Sequence, residues 1–184
     1  FPYTTLFRSF FVDPLSPELQ IPKGAPASTP SPMYQLNEVF TDPHIIKVMH
    51  NGASDIPSLQ HTFSVNVVGM FDTYQAAQAL GFPRNDLQYL LQRFCLAPGD
   101  RRCLPESEHY TAPDSGYANS KTLLKVQIQQ SDFRVRPLSS GVIHYTQHET
   151  HFLPYLYDRL RQLLASGPND LLQLALHLTE PLDR

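Results

Sequence analysis

Short apolar runs alternate with helical apolar periodicity along much of the chain. Apolar side chains recur at helical spacing over residues 33–40, whereas residues 10–13, 45–49 and 65–71 are brief runs with apolar side chains at most positions. The first pattern predicts a helix. The runs predict strands, and the β-branched content of residues 45–49 indicates a buried one.

Capping and breaking residues indicate where further helices begin and end. Asp55 and Pro57 suit the first turn of a helix. Asp72 or Thr73 can cap another helix, which Gly81 ends. These signals predict helices over residues 55–63, 74–80, 87–94, 139–164 and 170–178.

The order of these elements predicts an α/β domain with a partly parallel sheet, because strands alternate with helices. Residues 15–32 contain five prolines after position 16, which predicts a loop. Residues 96–121 are polar and rich in Pro, Gly and Ser, so we expect an inserted surface loop there.

Composition and charge narrow the class of protein. The 184 residues are 41% hydrophobic and include 17 prolines, which suits one globular domain. A net charge of −3 argues against wrapping a nucleic-acid duplex, but less against binding a few nucleotides beside metal ions. The two cysteines indicate a reducing compartment, and the absence of a long apolar run or signal-peptide pattern predicts no membrane association.

Three side chains have the pattern expected at a site that binds two metal ions. Tyr145 and Glu149 stand four residues apart in a predicted helix, so the phenol and the carboxylate lie on one face. Asp55 follows a predicted strand much earlier in the chain. Two-metal catalysis needs acids from distant segments to converge on paired divalent ions.

Residues 33–96 and 127–164 contain blocks typical of one nuclease family. The matching blocks include Leu36-Asn-Glu38, Lys47-Val-Met-His50, Ser54-Asp-Ile56, Val68-Gly-Met-Phe-Asp-Thr73, Asp132-Phe-Arg-Val-Arg-Pro-Leu138 and Thr150-His-Phe-Leu153. These blocks resemble the catalytic domain of the RNase D-like 3′→5′ exoribonucleases, in the nuclear exosome-associated branch of exosome component ten type. The resemblance implies a ribonuclease H-like fold with a mixed sheet flanked by helices.

The resemblance also implies catalytic and metal-binding roles for three residues, at a site that holds two Mg²⁺ or Mn²⁺ ions. Asp55 matches a metal-binding acid, and Tyr145 matches the tyrosine that orients the attacking water. Glu149 stands where the family has Asp, and its extra methylene can displace the carboxylate from the octahedral geometry that Mg²⁺ requires. The alternative roles are a helix cap for Asp55, a core tyrosine for Tyr145 and a solvated carboxylate for Glu149.

Four further residues are implied contacts for nucleic acid. His50 and Asn51 match a position near the terminal nucleotide, although a histidine at a strand end is also often structural. Arg134 and Arg136 can approach phosphates or form salt bridges. Ser58 stands where this branch usually has Trp, so it cannot stack on a base.

We expect this chain to contain only part of the family's domain. Residues 1–9 match the translation of a sequencing adaptor, so we expect them to be an artefact and assign residues 10–184 to the domain. Residues 10–13 resemble the strand that follows the first motif. That position would put the family's first motif, an Asp-x-Glu pair of acids, and the N-terminal strands upstream of residue 10. Because the first motif is then missing, we expect this fragment alone to be inactive.

The function implied by the resemblance is hydrolysis of single-stranded RNA from its 3′ end. The implied partner is the nuclear exosome core, in rRNA precursor processing and RNA decay, and the implied location is the nucleus and its nucleolus. A degenerate homologue that binds RNA or acts as a scaffold is the alternative, favoured by Glu149, Ser58 and the insert at 96–121. A DNA-directed exonuclease of the same superfamily fits the matching blocks less well.

Overall fold

A computed structural model describes residues 11–26, 28–94 and 131–167, with the backbone alone at residues 144, 148 and 149. The inserted loop predicted at 96–121 and the helix predicted over 170–178 lie outside the described residues. Within the described ranges, no helix is long and apolar enough to cross a membrane.

Two short strands and six α-helices form the regular structure of the described residues. The strands are β1 (Lys47–Met49) and β2 (Met70–Asp72). The helices are α1 (Asn37–Phe40), α2 (Asp55–Phe63), α3 (Thr73–Ala79), α4 (Leu87–Phe94), α5 (Ser140–His151) and α6 (Leu153–Ser166). The bounds of α2, α3 and α4 agree with their predictions to within one residue. The helix predicted over 33–40 begins as a 3-10 turn at Pro32–Leu36 and continues as α1.

The two strands pair in parallel, with Val48 opposite Phe71 and Met49 opposite Asp72. Parallel neighbours need a crossover connection, and α2 lies in the connection between them. This arrangement confirms the predicted α/β class. Because parallel strands end at the same edge of a sheet, the residues that follow β1 and β2 lie close together.

Strand β2 is shorter than the apolar run that predicts it. Gly69 has a positive φ of 67°, which breaks the extended conformation immediately before β2. The Val68 amide donates to the Phe40 carbonyl at 2.9 Å rather than to β1. The sheet therefore gains residues only from Met70 onward.

Strand β1 is also shorter than predicted, and the prediction that its first residues are buried was wrong. Ile45 and Ile46 are exposed, because the Ile45 amide closes a turn onto the Asp42 carbonyl at 3.2 Å. The chain enters the sheet at Lys47, which is buried. The Lys47 ammonium donates to the same Asp42 carbonyl at 2.6 Å, so its polar group is satisfied.

The prediction of a strand over residues 10–13 was wrong for the described residues 11–13. Phe11 and Val12 are exposed, and neither strand of the described sheet pairs with them. The Asp13 carboxylate instead accepts a hydrogen bond from the Leu15 amide at 3.0 Å and begins a turn.

The single helix predicted over residues 139–164 is two helices, α5 and α6, separated at Phe152. Pro154 lies in the first turn of α6. Proline has no N–H to donate to a carbonyl of the preceding helical turn, but it is well tolerated in the first turn of a new helix. The break therefore follows from one residue that is visible in the sequence.

Helix α6 supplies the centre of the hydrophobic core. Its side chains at Leu156, Leu160 and Leu164 are buried, and the helix packs against α3, α4, β1 and α5. The Tyr157 ring meets the buried Phe71 ring edge-on, with centroids 4.8 Å apart. A residue on β2 is thereby packed directly against α6.

An ion pair joins two segments far apart in sequence. Arg136 donates through Nε to Asp13 Oδ2 at 2.6 Å and through Nη2 to Asp13 Oδ1. The hydrogen bonds from Arg136 hold the pKa of the Asp13 carboxyl below its usual value. The two side chains are only 31% and 19% exposed, so solvent screens this pair less than the Arg84–Asp86 pair, whose side chains are 63% and 45% exposed.

We expect Leu156→Ala to lower the free energy of unfolding by about 2–5 kcal/mol, because it opens a cavity beneath α6. Leu163→Ala is the matched control in the same helix, since Leu163 is 39% exposed whereas Leu156 is fully buried. The control should change stability by less than about 0.5 kcal/mol. Urea denaturation measures both, and equal effects would show that α6 is not packed as described.

The Asp13–Arg136 pair should stabilise the fold in a pH-dependent manner. Because the pKa of folded Asp13 is lowered, the stabilisation is complete above the ordinary pKa of Asp and is lost as pH falls through the folded value. A double-mutant cycle with Asp13→Asn and Arg136→Gln should show coupling at neutral pH that declines as pH falls below the ordinary pKa of Asp. The same cycle at Arg84 and Asp86 should show weaker coupling, and a pH-independent coupling at Asp13 would contradict this account.

Candidate active site

The Asp72 side chain organises the edge at which both strands end. Its Oδ1 accepts hydrogen bonds from the amides of Asn51 and Tyr74, each at 2.8 Å, and its Oδ2 accepts from the Gly52 amide at 2.9 Å. The Tyr74 bond caps α3, as predicted for Asp72 or Thr73. The other two bonds fix the loop that follows β1.

Thr73 fixes the ring of His50. The Thr73 hydroxyl donates to the Met49 carbonyl at 3.1 Å, and His50 Nδ1 lies 2.9 Å from the same hydroxyl oxygen. Because the hydroxyl proton is used on the carbonyl, His50 Nδ1 donates to the Thr73 oxygen. The Tyr74 ring meets the His50 ring edge-on, with centroids 6.0 Å apart. A structural role for His50 is therefore present in the fold, and its predicted contact with RNA stays a prediction.

Backbone geometry makes the loop after β1 tight. Asn51 adopts a left-handed conformation with φ 57° and ψ 40°, which Asn tolerates better than most residues. Gly52 is buried, and a Cβ atom at this position would lie 3.0 Å from both Cβ and Sδ of Met49. A side chain at position 52 would therefore require Met49 to shift.

Asp55 lies at the start of α2, immediately after the 3-10 turn at Gly52–Ser54. The residue is exposed, and its carboxylate makes no hydrogen bond or ion pair with the described part of the chain. Ile56 is buried and anchors the helix, while the exposed Ser58 lies one turn after Asp55. The fold thus presents the predicted metal-binding carboxylate to solvent, with both oxygens available.

Helix α5 carries the other two predicted catalytic residues. The Ser139 hydroxyl caps it by accepting from the Val142 amide at 3.3 Å, and Val142 is buried. Tyr145 is half-buried, and Glu149 follows one helical turn later. Helix α6 packs against both α5 and β1, so one core element supports the two segments that carry the candidate residues.

Both arginines predicted to contact phosphates form ion pairs. Arg136 pairs with Asp13, as described above. Arg134 donates through Nε and Nη2 to the two oxygens of Asp132, at 2.9 and 3.0 Å, and this hydrogen bonding lowers the pKa of the Asp132 carboxyl. The salt-bridge alternative is therefore observed for both, and their contact with RNA stays a prediction.

The described side chains contain part of the predicted metal-ligand set. No group of three or more His, Cys, Asp or Glu side chains that could hold an ion occurs among them. Asp55 fits the role by its chemistry, because a solvent-facing carboxylate without a protein partner is a hard oxygen ligand. The side chain of Glu149 is outside the described atoms.

Sequence reasoning identified Asp72 and Thr73 as caps and did not assign them to the site. Their bonds to residues 49–52 depend on the parallel pairing of β1 and β2, which a local capping pattern does not contain. The sequence did give one indication of a further role, because both residues belong to the block Val68-Gly-Met-Phe-Asp-Thr73 that resembles the nuclease family.

Comparison of the sequence with known proteins identifies a family that this chain matches. A model of the 3′–5′ exonuclease family matches residues 18–101. Exosome complex component 10 of Rattus norvegicus is 39% identical over 140 residues, which are 76% of this chain and 13% of the rat protein. Exosome complex exonuclease RRP6 of Saccharomyces cerevisiae is 41% identical over 132 residues, which are 72% of this chain and 15% of the yeast protein. The chain thus spans less than a sixth of the length of these relatives.

Solved structures support the same assignment. The catalytic core of RRP6 from Trypanosoma brucei superposes with a TM-score of 0.59 and 31% identity, covering 80% of this chain and 33% of that one. A nuclease in its apo form shares the fold, with a TM-score of 0.58 at 22% identity over 83% of this chain and 61% of that one. These similarities confirm the ribonuclease H-like fold and the predicted family. The chain belongs to the 3′–5′ exonuclease family, in the branch that contains exosome component 10 and RRP6.

Proposed function

We propose that this protein is a 3′→5′ exoribonuclease that hydrolyses single-stranded RNA from its 3′ end. The observation that carries the proposal is the match of the 3′–5′ exonuclease family to residues 18–101, a range that includes Asp55. The exposed carboxylate of Asp55, at the start of α2 and without a partner among the described residues, supports the same function.

Each candidate residue has a role that suits its chemistry. Asp55 and Glu149 would hold divalent ions, Mg²⁺ or Mn²⁺, and such ions when bound activate water and stabilise the leaving oxygen. Tyr145 would orient the attacking water through its phenolic hydroxyl. The full site would bind two ions and requires further acids beyond these two.

The RNA would approach along the loop after β1. His50 and Asn51 precede Asp55 by five and four positions and are the proposed contacts for the terminal nucleotide. Arg134 and Arg136 are already paired with Asp132 and Asp13, and a phosphate would compete with these carboxylates for the two guanidinium groups. Ser58 offers no aromatic face beside Asp55, so we expect little stacking on the base there.

Association with the nuclear exosome core, and a location in the nucleus and nucleolus, complete the proposal. The association is supported by the similarity to an exosome complex component and an exosome complex exonuclease. Processing of rRNA precursors is the corresponding cellular role.

A second candidate function is RNA binding without hydrolysis. Glu149 and Ser58 favour it, because the first lengthens a metal-binding acid and the second lacks the ring that stacks on a base. The two functions differ in one measurable property, which is whether bound RNA becomes shorter in the presence of divalent ions.

Asp55→Asn in the full-length protein should lower Mg²⁺-dependent RNA shortening by more than about a hundredfold, since it removes an anionic ligand. The fold should be retained, because Asp55 is exposed and makes no bond to the described residues. Glu38→Gln is the matched control, as Glu38 is an exposed acid in the first turn of another helix. The measurement is the rate of shortening of a 5′-labelled RNA, with circular dichroism of each variant.

The outcomes separate the two candidate functions. Activity that survives Asp55→Asn would remove Asp55 from the metal site. A wild-type protein that binds RNA and leaves its length unchanged with either Mg²⁺ or Mn²⁺ would favour the non-catalytic function. Equal losses in Asp55→Asn and Glu38→Gln would point to a general effect of charge.

Glu149→Asp should raise the rate of RNA shortening by about tenfold or more, because it restores the shorter acid that the metal geometry requires. Glu149→Gln is the control for charge and should lower the rate. A lower rate with Glu149→Asp would mean that the rest of the site has adapted to the longer side chain.

A further inference from the structure

The bonds made by Asp72 exceed what a helix cap needs. Capping of α3 requires only the bond from the Tyr74 amide to Oδ1. The bonds from Asn51 and Gly52 reach Asp72 from another segment, across the end of the parallel strands. Asp72 is 1% exposed, so the carboxylate that accepts these bonds is shielded from water.

We propose that Asp72 is a positioning residue, which holds Asp55 in place through the turn at Gly52–Ser54. The turn begins at the two amides that Asp72 binds, and it runs directly into Asp55. A carboxylate that binds Mg²⁺ must be held to within a fraction of an ångström, and rigid supporting contacts provide that. This role in metal binding rests on the proposed function, whereas the role in ordering the loop does not.

Thr73 makes the connection rigid by binding the preceding part of the same loop. Its hydroxyl joins the Met49 carbonyl and the His50 ring, while Asp72 binds the next two amides. Each of the four residues 49–52 is therefore hydrogen-bonded either to Thr73, the first residue of α3, or to Asp72, its cap. Only Ala53 and Ser54 lie between these anchored residues and Asp55.

Two substitutions of Asp72 separate the loop contact from capping. Asp72→Asn keeps Oδ1 for Asn51 and Tyr74 but turns an N–H toward the Gly52 amide, which places two donors face to face. Asp72→Ser keeps a good capping oxygen and is too short to bind both loop amides. The second variant keeps the proposal testable if the first does not fold.

Amide hydrogen exchange of this chain, followed by NMR, tests the ordering of the loop without any activity. In both variants the Gly52 amide should exchange about tenfold faster or more, and in Asp72→Ser the Asn51 amide should follow. The Tyr89 amide, which bonds Asp86 at 3.0 Å, serves as an internal reference and should not change. Unchanged exchange at Gly52 in folded variants would overturn the proposal.

The dependence of RNA shortening on Mg²⁺ tests whether this ordering serves Asp55. In the full-length protein, we expect the Mg²⁺ concentration at half-maximal rate to rise about 10–100-fold in the Asp72 variants. High Mg²⁺ should restore part of the lost rate, which simple unfolding would not permit. Asp86→Asn is the matched control, because Asp86 binds the Tyr89 amide near the start of α4 and has no contact with the loop.

Hydrogen exchange and the Mg²⁺ dependence together distinguish failure of the proposed function from failure of the positioning role of Asp72. A wild-type protein without activity would contradict the proposed function and leave the hydrogen-exchange result to decide the ordering of the loop. An active wild type with the same Mg²⁺ dependence in folded Asp72 variants would overturn the positioning role alone. A shift of equal size in Asp86→Asn would also overturn it, since the effect would then follow from any lost cap.

Discussion

The buried Asp72 carboxylate accepts backbone hydrogen bonds from two segments that meet only because β1 and β2 are parallel. Removing a buried acceptor leaves its donors unsatisfied, which costs about 1–3 kcal/mol for each group and more for charged ones. The conformation of the loop adds to this constraint, because Asn51 is left-handed and Gly52 is packed against Met49. The position of Asp55 depends on this junction.

Hydrophobic burial and the hydrogen bonds at Asp72 therefore contribute to this fold in different ways. Burial of Leu156, Leu160 and Leu164 in α6, each worth about 1.5–3 kcal/mol, contributes more to stability than the polar junction, whose hydrogen bonds contribute about 1 kcal/mol each. Hydrophobic packing, however, is not directional, and it does not set the orientation of a loop. We infer that α6 holds the domain together, while Asp72 and Thr73 determine where the candidate catalytic loop points.

Features governed by local chemistry were predicted well from the sequence. The bounds of α2 and α4 follow from caps and helical periodicity, and the cap of α3 was correctly limited to two adjacent residues. Strand lengths were overestimated, because an apolar run does not reveal that Gly69 turns away from the sheet or that Ile45 closes a turn. The break between α5 and α6 could have been predicted from Pro154.

The residues of the candidate site were assigned from the sequence, and those assignments stay predictions. Asp55, Tyr145 and Glu149 were assigned from spacing and family resemblance, and the fold gives Asp55 an exposed position that is compatible with the proposed metal-binding role. The loop anchor was missed, since bonds between Asp72 and residues 51 and 52 arise only from tertiary structure. Arg134 and Arg136 form ion pairs with Asp132 and Asp13, and the charge pattern of the sequence alone does not reveal this pairing.

The most direct measurement is product analysis of the full-length protein on a 5′-labelled single-stranded RNA, with Mg²⁺ or Mn²⁺ and with a chelator. The account predicts a ladder of labelled RNAs that shorten one nucleotide at a time from the 3′ end, that depends on the metal ion, and that is lost when the 3′ end is blocked. Internal cleavage, or binding that leaves the RNA intact in both metal ions, would contradict it.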